Sequence, residues 1–159
     1  ITVRDAIGSL PVAELVNPED PLHVCRKHSK ITIDRLQHIS HDGGSRDELP
    51  SRLILPCHKK LDDAGETKHY CDVYGRMRWD TVAPTLTTGC TDVTKGRYAH
   101  PVFDRAITLR EAALLQTFPK EYRFYGNSGQ IARQIGNAVP VNLAKNLALS
   151  FLPNKGDNL

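Results

Sequence analysis

Arg105-Ala106-Ile107-Thr108-Leu109-Arg110-Glu111-Ala112-Ala113-Leu114-Leu115-Gln116-Thr117-Phe118-Pro119 is the stretch on which the architecture turns. Thr108 followed three residues later by Glu111 is a capping box, in which hydroxyl and carboxylate each satisfy a backbone amide that a helix start leaves unpaired. A helix is therefore predicted to begin just after Thr108 and to run until Phe118-Pro119 stops it.

Working outward toward the C-terminus, Pro140, Ala144, Leu147, Ala148 and Phe151 share one stripe of a second helix that begins near Pro140 and ends before Pro153. Gln134-Ile135-Gly136-Asn137-Ala138 precedes it and reads as a turn. Such a turn directs free amides at whatever lies before the helix, as in a carboxylate or phosphate site, although a plain connector is the alternative.

In the other direction, residues Asp72 to Trp79 alternate. Val73, Gly75, Met77 and Trp79 fall on one side, with Tyr74, Arg76 and Arg78 on the other. This is strand periodicity with one packed and one basic face, and the basic face suits either solvent or phosphate and base edges. Pro84-Thr85-Leu86-Thr87-Thr88 is a further β-prone run ending at Gly89. Ile33, Leu36 and Ile39 have the spacing of a short amphipathic helix that Thr32 would cap, broken by Asp42-Gly43-Gly44-Ser45. Gly43-Gly44 reads as a turn or as backbone that approaches a ligand closely. Residues 1 to 30 form a loop-rich lead-in with at most a short helix around Val12 to Val16, and Asp62 to Lys68 an exposed loop.

The 159 residues, 40% hydrophobic and 25% charged, are enough for a folded domain or two small lobes and exclude wholesale disorder. No apolar run approaches a membrane span and the N-terminus lacks a signal-peptide core, so a cytoplasmic location with no membrane partner is expected. The chain opens on Ile1 rather than Met, which reads as a start within a longer chain or as processing. Net charge is +3, with cations concentrated between Lys95 and Arg133, a stretch fit to face phosphates. Cys25, Cys57, Cys71 and Cys90 are widely spaced and read as reduced thiols. Cys57, His58, His69 and Cys71 could be gathered by a loop, but their spacing fits no common zinc module, and no metal is expected.

Three segments together resemble the DNA (cytosine-5) methyltransferase family. Residues 105 to 119 look like its ninth motif and residues 134 to 144 like its tenth. Tyr74-Gly75-Arg76-Met77-Arg78-Trp79 with Ala83-Pro84-Thr85-Leu86-Thr87-Thr88 looks like the end of its target-recognition region. Order and spacing agree over roughly residues 32 to 150, and Thr2-Val3-Arg4-Asp5-Ala6-Ile7 resembles the link after the eighth motif. The resemblance implies S-adenosyl-L-methionine as cofactor, double-stranded DNA as partner, a restriction–modification setting and a flipped target cytosine. In the family a cysteine thiolate adds to C6, a glutamate assists at N3, and C5 takes the methyl group. Carried over by position, Gly136, Asn137 and Ala138 would lie at the methionine end of the cofactor, and Thr85 and Leu86 beside the backbone of the flipped nucleotide. Gly43, Gly44, Arg76 and Arg78 become candidate DNA contacts, and Arg110 and Glu111 a structural brace for the recognition region.

The family's Gly-rich cofactor loop, Pro-Cys-Gln nucleophile and Glu-Asn-Val acid are missing from these 159 residues. Pro56-Cys57 is followed by His58 and has no cofactor loop upstream, so no catalytic residue is assigned. The expectation is an α+β fragment. A small β-containing DNA-recognition lobe would span residues 1 to 100, followed by a helical segment over residues 101 to 152 that packs on a missing α/β methyltransferase domain, and a tail over residues 153 to 159. Such a fragment would be inactive alone, would need the N-terminal catalytic domain in cis or trans, and would self-associate through its uncovered C-terminal helix. A natural subunit of a split enzyme and a stand-alone DNA-binding module stay open as alternatives.

Overall fold

A computed structural model describes residues 1–56, 58 and 72–152. Cys57, His69 and Cys71, for which no metal site is expected, and the exposed loop at 62–68 lie outside the described residues. Among the described residues no cluster of metal-ligating side chains occurs, and no helix is long and apolar enough to cross a membrane.

Helix α1 (Val3–Ile7) begins with a reciprocal capping box between Thr2 and Asp5 and buries Val3 and Ile7. It lies in the segment read as loop, whereas Val12 to Val16 is not helical and Glu14 instead makes a lone bridge to Val24. Helix α2 (Lys30–Gln37) falls where the apolar spacing put it, but Ser29 rather than Thr32 caps it. The Ser29 hydroxyl accepts the Thr32 amide, so Thr32 sits one turn inside.

Helix α3 (Leu109–Leu115) carries the expected Thr108–Glu111 box and stops at Gln116, with Thr117 in the left-handed region at φ 61°. It ends three residues ahead of Pro119, because the chain must reverse there. Helix α4 (Ser128–Asn137) was not anticipated, although Asn127 and Gln130 form a capping box as legible as the others. It buries Ile131, Ala132 and Ile135. Helix α5 (Val141–Ser150) starts at Pro140 as expected and has no buried residue.

Two cores share a thin middle layer. The first joins Val3 and Ile7 of α1 to Met77, Leu86, Tyr98, Ile107, Ala112 and Ala113, and to Ile131 and Ile135 of α4. The second gathers Leu36, Ile39, Leu49, Leu53, Tyr74, Val93, Ala99 and Ala106. Between them run three extended segments tied by single bridges, Arg76 to Ala99 and Ala99 to Ala106. Neighbours on these segments face opposite cores: Tyr74, Ala99 and Ala106 one way, and Met77, Tyr98 and Ile107 the other. The alternation read in residues 72 to 79 holds for Arg76 and Met77 but not at Tyr74, which sits in the left-handed region at φ 62° and shares its core with the adjacent Val73. The face read as open to solvent or to DNA is covered by α2 at Arg76 and stays exposed at Arg78, and bridges replace a continuous strand. The first core also draws on residues from both sides of His100–Pro101.

Candidate functional site

The buried arginines come first, because they fix the frame. Arg76, fully buried, donates through Nε to the Ile39 carbonyl (3.1 Å) and through Nη1 to His100 (3.1 Å) and Phe103 (2.8 Å). Nη2 donates to the Leu36 carbonyl (2.8 Å) and to the Asp104 carboxylate. Leu36 is in the last turn of α2, so the guanidinium caps that helix and satisfies carbonyls that would otherwise be stranded. The expected DNA contact by Arg76 is therefore corrected: its donors are all engaged in the interior.

Arg105 grips Glu111 with two parallel bonds of 2.8 Å, and Glu111 also accepts the Thr108 amide at 2.7 Å. Burial alone would raise the Glu111 carboxyl, but the hydrogen bonds and charge of Arg105 outweigh it and hold the group below the usual carboxylate range. His100 stands 3.9 Å from Glu111 with its Nδ1 accepting the Val102 and Phe103 amides. Burial pushes its pKa down to about 4, so the ring is neutral at pH 7. Arg110 reaches back to Asp20 with bonds of 2.7 and 3.0 Å and donates to the Lys120 carbonyl. Arg110 and Glu111, adjacent on α3, thus tie it to the 20–22 segment and to Arg105 respectively.

Two carriers of the expected site meet in an open cleft of about 990 Å³, lined by Thr85, Leu86, Gln116, Gly136, Ala138 and Lys145 among others. Gly136 is the contact point. A Cβ there would lie 2.3 Å from the Thr87 carbonyl carbon and 2.4 Å from the Thr88 nitrogen, so only glycine lets α4 press on that backbone. The Gln116 amide donates to the carbonyls of Ile135 (3.0 Å) and Ala138 (3.2 Å), and the Val141 amide donates to Gln116. These bonds hold the exit of α4 against the end of α3.

The turn expected at Gly136-Asn137 is the last turn of α4, not a helix start. Its free groups are carbonyls, which favour a cation over the carboxylate anticipated from free amides. Asn137 is exposed and faces a separate depression with Tyr125, Gln130 and Arg133, on the other side of the helix from Gly136 and Ala138. Leu86 is buried in the first core, leaving its backbone rather than its side chain presentable.

Gly43 and Arg78 form a second surface pair. Gly43, at φ 106°, leaves room for the Arg78 side chain, whose Nε would stand 2.3 Å from an added Cβ. Gly44 is packed on Ser40 and gives its carbonyl to the Arg76 amide and to Arg97, a structural duty. Arg78 is exposed, and no hydrogen bond or ion pair engages its guanidinium among the described residues. Of the two arginines, only Arg78 remains available. Tyr98 and Gln116, which shape the cleft, carried no local signal, since their roles arise from contacts distant in sequence.

The family model for C-5 cytosine-specific DNA methylase matches residues 14–152. The chain belongs to that family. It is 49% identical over 157 residues to the type II methylase M.HgiDII of Herpetosiphon aurantiacus, covering 94% of this chain and 43% of that protein. It is 36% identical to DNA (cytosine-5)-methyltransferase 3 of Arabidopsis thaliana, covering 91% of this chain and 12% of the relative. With the type II methyltransferase M1.BsuMI of Bacillus subtilis the identity is 35%, over 84% of this chain and 30% of the relative. The chain thus spans less than half the length of each of these relatives. Set against the cysteine chemistry of the family, the described thiols are ill suited to attack: burial raises both, Cys90 to about 11.

Proposed function

We propose that this chain is the target-recognition and C-terminal part of a DNA (cytosine-5) methyltransferase, inactive alone. It would grip duplex DNA and complete the S-adenosyl-L-methionine site of a catalytic domain supplied in cis or trans. The observation that carries the reading is the cleft that Thr85 and Leu86 line together with Gly136 and Ala138, with Gly136 pressed on Thr87–Thr88, so that the target strand and the cofactor would be met at one place. The bacterial relatives named as type II methylases favour a restriction–modification setting.

In this reading residues 1 to 100 serve recognition and residues 101 to 152 return toward an α/β domain, with residues 153 to 159 as a tail. The whole would be α+β, with α5 laid on the catalytic domain and available for self-association while that domain is absent. Gly136 and Ala138 would hold the methionine end of the cofactor, with Asn137 turned to the neighbouring depression. The carbonyl-rich exit of α4 fits its ammonium group, and the cleft is wide enough for a ligand of that size. When bound, the cofactor supplies the methyl group. Thr85, the Leu86 backbone, Gly43 and Arg78 would contact the DNA backbone, with Arg110 and Glu111 bracing them from α3.

The test is transfer of labelled methyl groups to duplex DNA. None is expected from the chain alone, and activity is expected once a polypeptide bearing the Gly-rich loop and the Pro-Cys-Gln segment is added. Methylation by the isolated chain would overturn the reading.

A further inference from the structure

The run from Pro84 to Thr87 belongs to no helix and pairs with no strand among the described residues, so its peptide groups need other partners. The Thr85 carbonyl has one. The Tyr98 hydroxyl donates to it at 2.9 Å and stands 3.2 Å from Thr87 Oγ1, gripping the chain on both flanks of Leu86. Tyr98 is only 3% exposed and its ring belongs to the first core, so water competes poorly for this bond.

A trans peptide is planar, with its carbonyl and amide pointing in opposite directions. Because the Thr85 carbonyl is drawn toward Tyr98, the Leu86 N–H across the same plane points away from it. That amide has no acceptor among the described residues. The segment cannot easily rotate, because the Leu86 side chain is buried and α4 presses on the next two residues through Gly136. A rigid outward N–H on a surface segment matches the backbone donors that set proteins in register on nucleic-acid phosphates.

We infer that Tyr98 is a positioning residue for DNA: its bond to the Thr85 carbonyl aims the Leu86 N–H at a phosphate oxygen of the bound strand. This rests on the reading of Thr85–Leu86 as the pair beside the target nucleotide. Tyr98 itself would touch no nucleotide.

The test uses the whole chain labelled with ¹⁵N-leucine, titrated at low salt with a short cytosine-containing duplex. In the wild type the Leu86 amide resonance is expected to shift and its hydrogen exchange to slow. Tyr98→Phe, which removes only the hydroxyl, should weaken binding by about three- to tenfold and abolish the Leu86 response. The slope of affinity against salt should not change, since no cation is lost. Arg78→Ala should do the reverse, lowering that slope by about one while the Leu86 response persists. A general loosening of the fold would not separate these readouts.

Should Tyr98→Phe fail to fold, Thr87→Val decides. It leaves the Tyr98–Thr85 bond intact and should keep the Leu86 response, and loss of the response there would overturn the inference. DNA binding that leaves Leu86 unmoved, or that Tyr98→Phe leaves unaltered, overturns the role of Tyr98 alone. If the wild type binds no DNA at low salt, the recognition reading falls with it.

Discussion

The seam between α2 and α3 and the face of α5 invert the usual rule of apolar inside and charged outside. Arg76, Arg105 and Glu111 are buried in the seam, whereas Leu143, Leu147, Leu149 and Phe151 stand 50%, 52%, 51% and 84% exposed. Residue type does not explain the difference, but partners do. Each charge in the seam meets acceptors or an opposite charge at bonding distance, which offsets its desolvation. The α5 side chains have nothing among the described residues to cover them. Apolar area left in water is free energy unrealised, at about 1.5 to 3 kcal/mol for each large side chain. The seam therefore holds this unit together, whereas α5 adds no buried side chain to it.

The sharpest way to break the comparison is Arg76→Met. It would strand the carbonyls of Leu36, Ile39, His100 and Phe103 and leave Asp104 without its ion pair. A loss of about 3 to 5 kcal/mol is expected in urea denaturation, because several carbonyls lose their donor at once and each stranded buried acceptor costs about 1 to 3 kcal/mol. A loss below about 1 kcal/mol would mean that water takes over those groups and that the seam is not closed.

Acid should weaken the seam next. His100 titrates near 4 when folded against an ordinary value of 6.5, so the unfolded chain binds the proton first as pH falls. Its contribution is complete above pH 6.5 and is lost progressively down to about pH 4, on the order of 3 kcal/mol in all. Glu111, whose pKa is depressed, adds a further loss at lower pH, as its carboxylate is protonated in the folded state. His100→Asn keeps an acceptor near the Nδ1 position and should flatten the profile between pH 6.5 and 4. An unchanged profile would assign the acid sensitivity to other groups.

Between seam and surface lies Gly136. Alanine is the better helix former by about 1 kcal/mol, so Gly136→Ala would stabilise an unencumbered helix. Here the added methyl meets the Thr87–Thr88 backbone at 2.3 to 2.4 Å, and that clash should prevail. The expected net loss is about 1 to 3 kcal/mol, with weakened DNA binding because the Thr85–Thr88 segment is pushed. A stabilised variant would show that α4 and that segment are not in fixed contact.

The smallest effect is expected on α5. Replacing both Leu147 and Phe151 with Lys should change the stability of the chain by no more than about 0.5 kcal/mol, since neither is buried. The same change should reduce self-association in light scattering and abolish complementation by a catalytic domain. A large loss of stability would show that α5 packs on its own chain in solution and would erase the contrast with the seam.

Local chemistry was legible wherever it closes over a few residues. Thr108 and Glu111 mark a helix start because hydroxyl, carboxylate and two amides meet within one turn, and Pro140 opens α5 for a similarly local reason. Asn127 with Gln130 and Thr2 with Asp5 carried the same signal for the helices that were overlooked. The opposite facing of Arg76 and Met77 was also legible, since it follows from the pleat alone. What covers each face was not. Arg76 and Arg78 are two residues apart and alike in type, yet one is sealed under α2 and the other lies open over Gly43, because burial depends on segments that arrive from elsewhere in the chain. The sequence by itself determined the family and the starts of α3 and α5, through motifs whose atoms interact across a turn or less. Only the tertiary structure decided that Gly136 closes on Thr87–Thr88 and that Tyr98 holds Thr85, since those contacts join positions 13 to 49 residues apart, a span that no local pattern encodes.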